Sequence, residues 1–265
     1  MSSIIFLGTG TGPELVGKGS LTSAGIVIKT QKAQFHIDPG IGTLLQASKY
    51  NVNVRETTGI LVSHCHLNHS NDLNALIYAM TQDGLDSTGI LAAPVSVLGS
   101  EDNLPVLHPH MKNHIEKIFT MEPGKRIAVE DTEIVALKAR HSDPFAVGYR
   151  LITPDFNVVC TGDTEYFGEL AEQYAGADII IANMPCQKSS ENNLCPDDLI
   201  KILDKVKPKL LILTHFSKEL YQAGPINFAR EIRQATGVQT IVANDGISIV
   251  PSTYSDLSQK TLGKF

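Results

Sequence analysis

Ile60-Leu61-Val62-Ser63-His64-Cys65-His66-Leu67-Asn68-His69-Ser70 decides how this chain is read. A short apolar run ends, three histidines follow within six positions, and a helical pattern begins. Residues 59–62 read as a short buried strand. Residues 71–80 place apolar side chains at helical spacing after a polar start, which predicts a helix. Neutral imidazole is a good zinc ligand, and ligands set just past a rigid strand are held in fixed geometry. A lone histidine is more often a packed or surface side chain. Three of the chain's nine histidines in so short a span point instead to a centre for one or two zinc ions, with manganese as the other candidate.

Other apolar runs end in the same way. His141 follows Ala136-Leu137-Lys138-Ala139-Arg140. Asp163 follows Val158-Val159-Cys160-Thr161-Gly162, and His215 follows Leu210-Leu211-Ile212-Leu213-Thr214. Singly, each reads as an ordinary loop residue. Together they predict one sheet edge where ligands converge.

Around these motifs, strands are predicted at 3–7, 24–29, 34–37, 90–93, 133–138, 146–152, 157–160, 178–182, 210–213, 240–242 and 247–250. Helices are predicted at 166–174, 196–205 and 226–235. Pro196 suits a first helical turn, where its missing N–H is not needed. Residues 94–123 read as irregular, and His108, His110 and His114 within them read as a flap or surface helix. No Pro/Gly/Ser linker divides the 265 residues, so one domain over 1–265 is expected. Strands mixed with helices throughout give an α/β protein, with two packed sheets and outer helices.

Composition bounds the partners. Apolar residues are 42% and charged residues 19%, as in an ordinary globular protein. The formal charge of −6 argues against broad nucleic-acid binding, although a bound metal reverses the sign locally. Four sparse cysteines are no disulfide framework, and no apolar stretch approaches the ~20 residues of a membrane span. The expectation is a cytoplasmic protein with no membrane partner.

His64-x-His66-x-Asn68-His69, His141, Gly162-Asp163-Thr164 and Thr214-His215-Phe216-Ser217 together resemble the metallo-β-lactamase superfamily. The resemblance runs from Asp38-Pro39-Gly40 to His215. It implies a four-layer αβ/βα sandwich of two facing mixed sheets with outer helices. It also implies that His64, His66 and His141 bind a first metal. His69, Asp163 and His215 would bind a second, with Asp163 bridging. Asp38 would hold a ligand histidine through a hydrogen bond, and an Asx turn before Pro39 is compatible with that role. One position departs: the family's usual Asp is Asn68 here. A neutral carbonyl brings no charge and takes no proton. Weaker second-metal binding, with reduced activity or a changed metal preference rather than loss of the site, is expected, with Asn68 and Asp163 as the catalytic candidates.

Superfamily members cleave lactams, thioesters, lactones and phosphodiesters. The run His141-Ser142-Asp143-Pro144-Phe145-Ala146-Val147-Gly148-Tyr149-Arg150 resembles the ribonuclease Z branch, which includes tRNA-processing and anti-Pycsar phosphodiesterases. That branch carries a His-Glu pair after the next strand, where this chain has Asn183-Met184-Pro185-Cys186, and no long basic arm is present. The resemblance therefore implies a metal-activated hydroxide acting on a small phosphodiester, such as a cyclic nucleotide or an RNA end. Arg140 and Arg150 are candidates to meet the phosphate, against the usual solvent-facing role of strand arginines. A homodimer is the expectation carried by the branch. A lactone or thioester hydrolase, or a non-catalytic metal- or nucleotide-binding protein, are the competing readings.

Overall fold

Short apolar runs separated by turns build the sheets. β1 (Ser3–Phe6), β2 (Ile26–Lys29), β3 (Gln34–Ile37), β4 (Gly59–Leu61), β5 (Ile90–Ala93) and β6 (Lys117–Thr120) belong to the first. β7 (Arg126–Val129), β8 (Thr132–Lys138), β9 (Val147–Ile152), β10 (Asn157–Cys160), β11 (Ile179–Asn183), β12 (Leu210–Thr214) and β13 (Gln239–Val242) form the second. β14 (Ser248–Ile249) returns to the first sheet beside β1. The computed structural model describes residues 2–100 and 104–255. Among them the sheet orders are β14-β1-β2-β3-β4-β5-β6 and β13-β12-β11-β10-β9-β8-β7.

Both sheets are mixed. β3 to β6 run parallel, as do β10 to β13, and the remaining pairs are antiparallel. Parallel strands are covered on both faces, so they read as unbroken apolar runs. Alternation still sorts their side chains. Leu61, Ile179, Ile181, Leu210 and Ile212 point into the core between the sheets, with Phe6, Phe35 and Tyr149. Ile60 and Val62 face the opposite way, onto helix Leu73–Thr81. Ile180, Ala182, Leu211 and Leu213 pack under helices Leu170–Tyr174, Pro196–Val206 and Pro225–Thr236. The result is the expected four-layer α/β sandwich. No helix among the described residues is long and apolar enough to cross a membrane.

Two strands lie outside the sequence expectation. β6 sits in the segment read as irregular, and β7 was not foreseen. Both are edge strands with mostly exposed or half-exposed side chains, so neither has the apolar density that marks a buried strand. Residues 109–114 form a 3-10 helix.

β4, β8, β10 and β12 each end just before a candidate ligand. β8 and β10 are both antiparallel to β9, so their C-terminal ends lie at the same edge. The ends of the two facing sheets thus bring His64, His141, Asp163 and His215 together. Tyr149 ties the sheets behind this edge: its hydroxyl lies 2.8 Å from the Val62 carbonyl and 3.1 Å from that of Ala92.

Candidate metal centre

The site is built from the ends of those strands. Past β4 the backbone N–H of Ser63 donates to Asp38 Oδ1 (2.6 Å), and the Ser63 hydroxyl donates to Asp38 Oδ2 (2.8 Å). His64 follows, fully buried. His66 opens the one-turn helix Leu67–Ser70, which carries Asn68 and His69. Gly40 makes that turn fit: a Cβ there would lie 2.1 Å from the Asn68 carbonyl oxygen. Asp38 and His215 both adopt left-handed backbone, φ 54° and 67°. Such conformations are uncommon for side-chain-bearing residues and cluster at functional sites.

Six side chains converge. His66 Nδ1 lies 3.0 Å from His64 Nε2 and 3.2 Å from His141 Nε2. Asp163 Oδ2 lies 3.2 Å from Nε2 of both His69 and His215. The same oxygen is 3.9 Å from His141 Nε2 and 4.0 Å from His64 Nε2. It therefore stands between two groups, His64/His66/His141 and His69/His215.

The outward-facing atoms fix which nitrogens are free. His141 Nδ1 faces the Asn192 carbonyl at 2.9 Å, so Nδ1 carries the proton and Nε2 presents a lone pair. His69 Nδ1 faces Asp38 Oδ2 at 2.9 Å and donates to it. His64 Nδ1 lies 2.9 Å from the Ser63 hydroxyl, whose own proton goes to Asp38. One carboxylate thus sets the tautomer of two histidines, His69 directly and His64 through Ser63. Asn183 Nδ2 donates to Asp163 Oδ1 (2.7 Å), turning Oδ2 toward the histidines.

This donor set fits a divalent metal. Burial, then the charge of His69, holds His64 well below the ordinary histidine range, and burial with His141 lowers His66. Neutral rings aiming lone pairs at one another repel unless a cation lies between them. Burial also pushes His69 down, yet Asp163 and Asp38 overcome it and raise it to about 10. Burial raises Asp163, but His215 and His69 outweigh it and keep the carboxyl well below its usual range. The two carboxylates demand positive charge here, which a proton on His69 or a bound metal can supply. His64/His66/His141 and His64/His69/Asp163 are each close enough to share an ion.

Such a centre at the edge of two facing sheets defines a metallo-β-lactamase-fold protein. The chain belongs to the beta-lactamase superfamily, whose domain matches residues 33–216. It is 30% identical over 251 residues to an uncharacterized protein of Methanocaldococcus jannaschii, covering 93% of this chain and 94% of that one. It is 27% identical over 150 residues to ribonuclease Z of Methanopyrus kandleri, covering 56% of this chain and 50% of that enzyme. Among solved structures, the metallo-beta-lactamase fold protein YhfI from Bacillus subtilis superposes with a TM-score of 0.77 at 17% identity, over 94% of this chain and 98% of that one.

The structure brings Asp38, His64, His66, Asn68, His69, His141, Asp163 and His215 together. The Asn68 amide nitrogen lies 3.3 Å from His215 Nε2 and donates to Thr11 Oγ1 (3.1 Å). The two arginines do not join them. Arg150 points to the outer face of its sheet and donates to the carbonyls of Gln173 and Ala175. The Arg140 guanidinium stacks on Phe167, 4.6 Å from the ring centroid. Arg150 alternates with core-facing Tyr149 and Leu151, which sends it toward the helix layer, whereas Arg140 lies in the loop past the end of β8, where no strand alternation sets its direction.

Sequence reading missed Ser63, Asn183 and Asp245. Ser63 was readable as a hydroxyl beside the first ligand. Asn183 was noticed only as the place where a His-Glu pair is absent. Asp245 accepts from the backbone N–H and hydroxyl groups of Thr9 and Thr22, and so fixes the loop of residues 8–12, which carries Gly8, Gly10 and Gly12 and pairs with Phe216 beside His215. Nothing in the sequence near Asp245 signals a partner more than two hundred residues away.

Proposed function

We propose that this protein is a metal-dependent phosphodiesterase for small substrates, with His64, His66 and His141 holding one divalent metal and His69, Asp163 and His215 a second. The convergence of His64, His69, His141 and His215 on Asp163 Oδ2, with His66 Nδ1 against His64 and His141, carries this reading. Metal bound there supplies Lewis acidity and lowers the pKa of water to about 7. Zinc suits the imidazole-rich donor set, and manganese is the alternative.

The chain's own residues have separable tasks. Asp38 and Ser63 keep His69 and His64 in the tautomers that present Nε2. Asn183 aims Asp163. Asn68 offers a neutral amide where the superfamily usually has a carboxylate, so the second metal is held more weakly. The phosphodiester preference draws on the likeness to ribonuclease Z and on the Gly148-Tyr149-Arg150 strand.

Two observations favour a small substrate over tRNA. A cleft of about 360 Å³ opens beside His66, lined by Cys65, Leu104, Val106, Asp143 and Phe145 among others, with no Lys or Arg among the described residues of its wall. Asn183, which stands where the branch has its His-Glu pair, is committed to Asp163 and has no proton to give a leaving group.

Hydrolysis of bis(p-nitrophenyl) phosphate and of cyclic nucleotides after zinc or manganese loading tests the proposal. Metal-dependent turnover is expected. Full metal occupancy without turnover overturns it, and turnover of lactones alone moves the chain to carbonyl chemistry.

A further inference from the structure

A second group of metal-binding side chains lies away from this centre. Helix Leu73–Thr81 ends in Gln82, Asp83 and Gly84, all with left-handed backbone at φ 51°, 55° and 80°. Two consecutive non-glycine residues in that region are unusual, and the second is an aspartate. Against this turn packs the 3-10 helix Pro109–His114. The ligand atoms of Asp83, His110 and His114 all lie within 4.8 Å of one another. The two rings stand 4.8 Å apart, edge to face.

His114 provides the independent sign of a ligand. It is 7% exposed, and its Nδ1 has no hydrogen-bond partner among the described residues. A buried polar atom left unpaired is costly, and a bound cation relieves that cost. The opposite edge of the ring is pressed on Gly84, where a Cβ would lie 2.7 Å from Nε2. The backbone of His114 is held too, because its carbonyl accepts from Thr88 N–H and the Ser87 hydroxyl.

We infer that Asp83, His110 and His114 form a structural site for a borderline divalent ion, zinc, cobalt or nickel. Two imidazoles and one carboxylate select such ions over calcium or magnesium, which prefer all-oxygen shells. Tetrahedral zinc with bonds of about 2.1 Å places its donors about 3.4 Å apart, so the three must close slightly. Asp83 and His110 are exposed and free to turn inward, and water completes the shell. The ion clamps the segment 104–114 onto helix Leu73–Thr81. Asn74 already holds that segment at the other end, pairing with the Val106 carbonyl and the His108 N–H. Leu104 and Val106 line the cleft beside His66, so the clamp fixes one wall of it.

The test is metal stoichiometry by equilibrium dialysis of the full chain against micromolar zinc, followed by elemental analysis. Asp83→Asn and His110→Ala are each expected to hold one zinc per chain fewer than wild type. Asn retains the left-handed preference at position 83, and His110 is exposed, so both variants keep the fold. Glu116→Gln, an exposed carboxylate outside the triad, is expected to match wild type. Wild-type zinc content in both Asp83→Asn and His110→Ala overturns the inference, as does equal loss in Glu116→Gln. The difference of one equivalent is read whether or not the protein cleaves a phosphodiester, so the outcome is separate from the proposed function.

Discussion

Asp38→Asn isolates the hydrogen-bond network that orients the metal ligands. The change is isosteric and removes one acceptor oxygen. Asp38 receives three donors: Ser63 N–H on Oδ1, and the Ser63 hydroxyl and His69 Nδ1 on Oδ2. An asparagine cannot serve them all. With its NH2 at the Oδ1 position, two donors face each other where the wild-type contact is 2.6 Å. With its NH2 at the Oδ2 position, His69 turns over its tautomer and loses the Nε2 lone pair aimed at Asp163. The first arrangement leaves buried donors unpaired, at about 1–3 kcal/mol, and the second removes a metal-binding lone pair. Loss of an orienting partner typically weakens metal binding 10–100-fold, or about 1.4–2.7 kcal/mol. Zinc titration against a chromophoric chelator measures the effect. A tenfold or greater loss in the tighter site or the weaker one is expected, with circular dichroism unchanged. Affinities within about threefold of wild type would refute the tautomer argument.

Asn68→Asp restores a charged oxygen beside His215 and is expected to raise second-metal affinity at least tenfold, ~1.4 kcal/mol, by the same titration. Tyr149→Phe removes the hydroxyl shared by the Val62 and Ala92 carbonyls. It is expected to cost about 1–1.5 kcal/mol in denaturant unfolding, with little change in the cleft. His36 is fully buried, and burial, with the nearby Lys29, lowers it to about 3. Between pH ~6.5 and 3 the unfolded chain therefore binds a proton that the native state does not, so stability falls on acidification by about 1.4 kcal/mol per unit. His36→Gln is expected to remove that slope, read from chemical denaturation at pH 4 to 6.

The main lines of the fold were legible because its inner strands are covered on both faces. Ile179-Ile180-Ile181-Ala182 and Leu210-Leu211-Ile212-Leu213 leave no other reading of comparable length. β6 and β7 were not legible, since an edge strand such as Lys117–Thr120 alternates weakly and carries charge. The histidines and Asp163 were readable because each ends an apolar run. Their partners were not. Ser63, Asn183 and Asp245 act through contacts spanning 25, 20 and more than two hundred residues, and single polar residues carry no periodicity. The arginines misled for a related reason. Arg140 adjoins a ligand in sequence, and Arg150 lies on the strand that carries the family likeness, yet the pleat turns Arg150 to the helix layer and Arg140, in the loop past β8, packs on Phe167.

Anomalous scattering from crystals of the zinc-loaded protein tests the metal centre most directly. Two peaks are expected at the sheet edge, a full one among His64, His66 and His141 and a weaker one among His69, Asp163 and His215. The absence of any peak in this cluster, with the histidines and Asp163 paired only to one another, would contradict the account.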